Sequence, residues 1–163
     1  MKRALPLLLA FALPGCALQP LYGGGATGEV RTMLASIEVG PMQGEAGWLV
    51  SNALRDRLTP TPHSTARYRL DIRLDDQLTG LGVRRDDSVT RERRTLRARF
   101  QLIDLSSGAV LIDDTAGSDA GIDVVGSEYA TIAAERSALE RLSGFVADQI
   151  VARLARFARS DRQ

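Results

Sequence analysis

The sequence predicts an α/β (α+β) domain built in two layers. Four strands form a mostly antiparallel or mixed sheet and two helices pack on one of its faces, in the order β-α-β-β-β-α. Three observations carry this. Tyr68, Leu70, Ile72 and Leu74 alternate with Arg67, Arg69, Asp71, Arg73 and Asp75, so one face of that strand is apolar and the other charged. Leu96, Ala98, Phe100 and Leu102 repeat the pattern against Arg91, Arg93, Thr95, Arg97, Arg99 and Gln101. Ile132, Leu139, Leu142, Val146, Ile150, Leu154 and Phe157 keep a mostly three-and-four spacing, the signature of a long amphipathic helix. A half-apolar sheet and two amphipathic helices bury their apolar sides only against each other.

The elements follow in order. Residues 17–30 are glycine-rich and aperiodic and read as a tether. Met33, Ala35, Ile37 and Val39 alternate with polar and apolar neighbours, which predicts a first strand ended by Gly40-Pro41. Trp48 to Leu58 reads as a helix with Val50, Leu54 and Leu58 on one face, stopped by Thr59-Pro60-Thr61-Pro62. The two alternating strands follow, joined by a reversal at Arg84-Arg85-Asp86-Asp87-Ser88. Ser106-Ser107-Gly108 makes a second turn, Ala109 to Asp113 begins a fourth strand, and Gly117 to Gly126 reads as irregular. Ser127 is placed to cap the last helix, with Glu128 in its first turn and Arg153, Arg156 and Arg159 near its C-terminal end, where the helix dipole favours each sign.

The N-terminus carries a different signal. Lys2 and Arg3 precede Ala4 to Leu13, an almost wholly apolar stretch of about ten residues, the length of a secretory core and far short of the roughly 20 needed to span a bilayer. Leu13-Pro14-Gly15-Cys16 then places an aliphatic residue, a small residue and the single cysteine in the pattern of a bacterial lipobox. That resemblance implies diacylglycerol on the Cys16 thiol, cleavage before it, and an acyl chain on the new amino group. An ordinary leader cut elsewhere would instead leave one unpaired thiol in an oxidising compartment. Several acyl chains give durable anchorage where one holds weakly. Ala17, rather than Asp, at the next position favours the outer membrane under the usual sorting rule. The organisation expected is a signal peptide over 1–15, a lipidated tether over 16–30, one α/β domain over 31–158 and a polar tail over 159–163.

Composition excludes several classes. Without Lys2 and Arg3 the chain has 19 arginines against 20 acidic residues, so bulk nucleic-acid binding is not expected. His63 is the only histidine, lies between Pro62 and Ser64, and has no G-x-S-x-G elbow to serve. With one cysteine and one histidine a zinc site lacks ligands. The pairs Asp75-Asp76, Asp86-Asp87 and Asp113-Asp114 fit no EF-hand pattern and sit where solvated aspartate is ordinary. No catalytic set, cofactor or metal is expected.

The arginine-rich stretch has two readings. From Arg84 to Arg99 there are seven arginines and three acids, and Arg91, Arg93, Arg97 and Arg99 share one strand face. They form either a solvated sheet face, partly neutralised by Asp71 and Asp75 on the neighbouring strand, or a surface for an anionic ligand, since the guanidinium fork matches phosphate and carboxylate oxygens.

Cys16-Ala17-Leu18-Gln19-Pro20-Leu21-Tyr22-Gly23 resembles the mature N-terminus of the lipopolysaccharide-assembly lipoprotein (LptE) family in its alphaproteobacterial form. Pro20, Leu21, Tyr22 and Gly23 match that pattern; Ala17 and Leu18 depart from its glycine and aromatic. The resemblance implies a two-helix, four-stranded roll anchored by lipid on the periplasmic side of the outer membrane. It further implies a plug inside the LptD β-barrel, assistance to barrel assembly and to lipopolysaccharide transfer, and no chemical step. An auxiliary lipoprotein of an ABC-type lipid transport system, or less favourably a periplasmic cell-wall enzyme, is the competing expectation.

Overall fold

A computed structural model describes residues 28–59, 65–83, 89–124 and 126–160. The lipobox, the Pro20–Gly23 motif, His63 and the Arg84–Ser88 reversal lie outside them. The elements are α1 (Glu29–Ala35), β1 (Ile37–Val39), α2 (Gly44–Leu58), β2 (Tyr68–Val83), β3 (Val89–Asp104), β4 (Val110–Asp123) and α3 (Glu128–Ser160). The four strands form one mixed sheet in the order β1-β2-β3-β4. β1 runs parallel to β2, and the other neighbours are antiparallel. The α+β class and the helices-on-one-face layering are as expected; the order gains one helix at its start.

That helix corrects the expected first strand. Residues 29–35 are helical and only Ile37–Val39 are extended. The alternation of Met33, Ala35, Ile37 and Val39 hid an equally good helical spacing: Val30, Met33 and Leu34 lie three and four apart, Leu34 is buried, and the other two pack against the core. Glu29 and Val30, read as the end of a tether, belong to its first turn.

The second correction is β4. Gly117–Asp123 is not irregular but continues the strand, pairing with β3 from Gly117↔Arg97 to Asp123↔Arg91. Its composition is weakly apolar because it is an edge strand. Its backbone is ordered by the neighbouring strand, and only Ala116 and Ile122 bury their side chains. Gly117 has a local reason: a Cβ there would lie 2.5 Å from Arg97 Cδ and 3.0 Å from the Leu96 carbonyl.

β2 and β3 are longer than their alternating cores suggested, each 16 residues, and Val83↔Val89 closes their ladder. Asp104 organises the next turn. Its carboxylate accepts from the Ser106 N–H (2.8 Å), Ser106 hydroxyl (2.5 Å) and Ser107 N–H (3.3 Å), and Gly108 takes a left-handed φ of 72°.

The core lies between the sheet and the helices. Leu70, Leu96, Ala98, Phe100 and Leu102 face Val50, Leu54 and Leu58 of α2 and Leu139, Leu142, Val146, Ile150 and Leu154 of α3. Ile132 continues the α3 stripe in sequence but is 55% exposed, because the first turns of α3 run past the packed region. The two helices are laced by Arg57, which donates to Asp148 (2.6 Å), to the Ala53 carbonyl (2.8 Å) and across Gly144 to its carbonyl (3.5 Å). Among the described residues no helix is long and apolar enough to cross a membrane.

Candidate anionic-ligand face

The period of the strand decides which arginines are together. On β3 the odd positions 91, 93, 97 and 99 point away from the helices, and all four side chains are exposed. Arg94, one residue out of phase, goes to the helix side. There it makes a two-pronged ion pair with Asp76 (2.9 and 2.6 Å) and donates to the Glu135 carbonyl (3.1 Å), fastening α3 to the sheet. The sequence run of arginines is therefore two structures: an outward row and one inward strap.

Within the row the four residues differ. Arg99 holds Asp113 through two hydrogen bonds (3.0 and 2.8 Å), and Gln101 adds a third at 2.9 Å. These contacts lower the Asp113 carboxyl to about 2, with the Arg99 hydrogen bonds the largest cause and Gln101 next. The Arg99 guanidinium is correspondingly raised, first by its hydrogen bonding to Asp113. Arg91 meets Asp123 at 3.0 Å, both ends well exposed. Arg93 and Arg97 have no ion-pair partner within 4 Å among the described residues. On β4 they face Gly121 and Gly117, which offer no side chain; on β2 they face Thr79 and Asp75.

The expected neutralisation by Asp71 is not seen, because Asp71 pairs with Arg69 of its own strand (3.0 and 3.1 Å). Asp75, opposite Arg97, accepts from Gln77 (3.2 and 3.1 Å).

Arg73 joins the site although the arginine-rich stretch does not include it. It is exposed, lies directly opposite Arg99, and borders a depression of about 520 Å³ together with Pro41, Asp71, Ile72, Arg99 and Gln101. Two like charges opposed across a ladder are unfavourable without an anion between or beside them. Strand alternation already put Arg73 on the charged face; only the register reveals that it meets Arg99. The arrangement can hold an anion with several oxygens. It offers no acid–base pair, and no group of three potential metal ligands occurs among the described residues.

The fold has known relatives. A Caulobacter crescentus chain described as a lipoprotein is 27% identical, with 83% of this chain and 99% of that one covered and a TM-score of 0.69. Rare lipoprotein B from Shewanella oneidensis (13% identity, 78% and 97% covered, TM-score 0.56) and lipoprotein B from Nitrosomonas europaea (14% identity, 76% and 83% covered, TM-score 0.58) share the fold. A search of curated sequences gives no significant match. Residues 34–154 match the family described as LptE, lipopolysaccharide-assembly. That match runs from the end of α1 to near the end of α3, and the chain accordingly belongs to the LptE family of lipopolysaccharide-assembly proteins.

Proposed function

We propose that the protein is an outer-membrane lipoprotein that plugs and helps assemble an LptD-type β-barrel translocon, and so assists lipopolysaccharide transport to the outer leaflet. The observation that carries this is the family match over residues 34–154. The lipobox ending in Cys16 and the Pro20–Gly23 motif support it independently, since they lie outside the matched region. The protein performs no chemical step; diacylglycerol and an N-acyl chain on Cys16 tether it to the periplasmic side of the membrane, leaving the domain free to enter its partner. Arg91, Arg93, Arg97 and Arg99, with Arg73, are the surface offered to the phosphates of lipopolysaccharide, and Arg93 and Arg97, without an ion-pair partner among the described residues, are the first contacts.

The deciding experiment is extraction of tagged full-length protein in mild detergent, with mass identification of what accompanies it. A large outer-membrane β-barrel is the expected companion. Inner-membrane transporter subunits without a barrel would sink this reading. In the same strain Cys16→Ser is expected to move the protein from the membrane to the soluble fraction.

A further inference from the structure

A groove of about 470 Å³ lies at the end of the domain where the tether enters it. That is the size of a small-ligand pocket. One wall is a single stripe of α1, since Glu29, Thr32, Met33 and Ser36 recur at three- and four-residue spacing. The opposite wall is Phe157 and Ala158 from the end of α3, and the third side is Arg67 and Tyr68, where β2 begins. Met33 and Phe157 are only half-buried against the core, so each keeps apolar surface toward the groove. Arg67 lies over the Tyr68 ring at 5.1 Å, and its carboxylate partner Asp104 stands off at 3.9 Å. The groove therefore joins an apolar interior to a polar rim.

α1 lacks the usual local supports at its start. Its N-cap, Gly28, makes no side-chain hydrogen bond. Thr27 and Thr32 occupy the two positions where a hydrophobic staple needs apolar residues. The segments outside the described residues differ sharply in what they could add. Residues 60–64, 84–88, 125 and 161–163 contain no leucine, isoleucine, methionine, phenylalanine, tyrosine or tryptophan. After the leader, only the tether has such side chains, namely Leu18, Leu21 and Tyr22. Six residues separate Tyr22 from Gly28 and reach about 20 Å when extended. α1, with seven residues, is about 10 Å long. The chain can therefore double back along α1, and Gly23-Gly24-Gly25 give it the conformational freedom to reverse.

We propose that Leu21 and Tyr22 of the same chain dock in this groove, so that the Pro20–Gly23 motif is a clasp between the lipid anchor and the domain. Leu21 and the tyrosine ring cover Met33 and Phe157, and the phenol hydroxyl stays at the rim formed by Thr32 and Arg67. An aromatic ring with one polar tip suits a site that is apolar inside and wet outside. The polar tail Asp161-Arg162-Gln163, the other nearby chain end, has no side chain to fill the apolar part. Docking shortens the free tether from residues 16–27 to 16–20. The end of the domain carrying α1 and the α3 C-terminus is then held near the membrane. Register extends this to the arginine row: Tyr68 faces Asp104, so Arg99 lies nearer that end and Arg91 farther from it. Barrel capture is a separate matter, and its loss would leave the docking intact and measurable.

The test uses the full-length lipidated protein in mild detergent. Gly23→Cys is combined either with Thr32→Cys, in the groove, or with Arg31→Cys. Arg31 is adjacent in sequence but borders Arg57 and Leu58 instead, and both positions are exposed enough to accept cysteine. A loose tether would reach both equally, whereas docking is expected to favour the Thr32→Cys disulfide about ten-fold, since a disulfide needs Cα atoms within roughly 7 Å. Leu21→Ala with Tyr22→Ala should remove that preference. In the parent background the same double substitution should speed hydrogen exchange at the Thr32–Ala35 amides about ten-fold and leave β3 unchanged, as local opening does. It alters no residue of the core, so the circular dichroism spectrum should be retained. Equal disulfide yields at the two positions would overturn the proposal. So would a disulfide joining two copies, or α1 exchange unaffected by Leu21→Ala with Tyr22→Ala. Loss of barrel capture in that double variant, with the crosslink preference and α1 exchange unchanged, would assign the motif to the partner instead of the groove.

Discussion

At the scale of single residues, the environment of each charge decides what it contributes. Asp113 is ordinary in sequence, one of a solvated pair, yet the Arg99 fork and Gln101 hold its carboxyl at about 2. Its folded value lies below its unfolded one, so its contribution is fully present above about pH 4 and is lost as pH falls toward 2. Arg99→Ala is expected to return the Asp113 titration, followed by NMR, toward the usual carboxylate range. Glu92 has the opposite sign. Burial, then the nearby Glu135 carboxylate, raise its pKa, so its ionisation opposes folding; this cost is absent below the unfolded value, grows as pH rises from there, and is complete above the folded value. Glu92→Gln is therefore expected to raise the melting temperature at pH 7 and to leave it nearly unchanged near pH 4. An unchanged melting temperature at neutral pH would show that Glu92 is not held against Glu135.

At the scale of elements, packing rather than propensity sets the boundaries. β4 persists through Gly117, Ala120 and Gly121 because β3 supplies its hydrogen bonds and α3 covers its far side. Gly117→Val is expected to destabilise by about 1–3 kcal/mol, the usual cost of overpacking. Adding Arg97→Ala should recover only part of this, since the Leu96 carbonyl stays in the way. Phe100 is the largest fully buried side chain among the described residues and joins the middle of the sheet to the core under α3. Phe100→Ala should cost ~3–5 kcal/mol in denaturant unfolding. α1 is the element whose residues least specify it: seven residues are too few to be helical alone, and Leu34 holds it by reaching the core.

At the scale of the whole molecule, the two faces of the sheet keep the core and the arginine row apart. The buried apolar core lies between the sheet and the helices, while the arginine row lies on the opposite side of the sheet with exposed ion pairs that contribute little to folding. Its residues are therefore free to change without unfolding the domain. Arg93→Gln with Arg97→Gln should leave the melting temperature within about a degree or two of the parent, since surface changes are usually within ±0.5 kcal/mol. The same pair should weaken binding to lipopolysaccharide-containing vesicles by roughly thirty-fold at low salt, taking about 1 kcal/mol per arginine near an anionic lipid surface. Reversal of all of Arg91, Arg93, Arg97 and Arg99 should abolish it. Binding by the four-site variant equal to the parent at moderate salt would return the row to a plain solvated face.

The sequence by itself determined the α+β class, the two long alternating strands, both principal helices and the parity that puts Arg91, Arg93, Arg97 and Arg99 on one face. Each is written in a short-range period, two for a strand and three to four for a helix, and needs no knowledge of what lies across from it. It also carried the N-terminal motif that first pointed to the LptE family. Only the tertiary structure decided that residues 29–35 are a helix, that β4 runs to Asp123, that Arg73 meets Arg99, and that Asp113 and Asp123, rather than Asp71 and Asp75, pair with Arg99 and Arg91 of the row. Those depend on register and on neighbours distant in the chain. A period in the sequence fixes which face a side chain takes. It leaves open which residue stands opposite, and that opposition sets the charge balance of the arginine face.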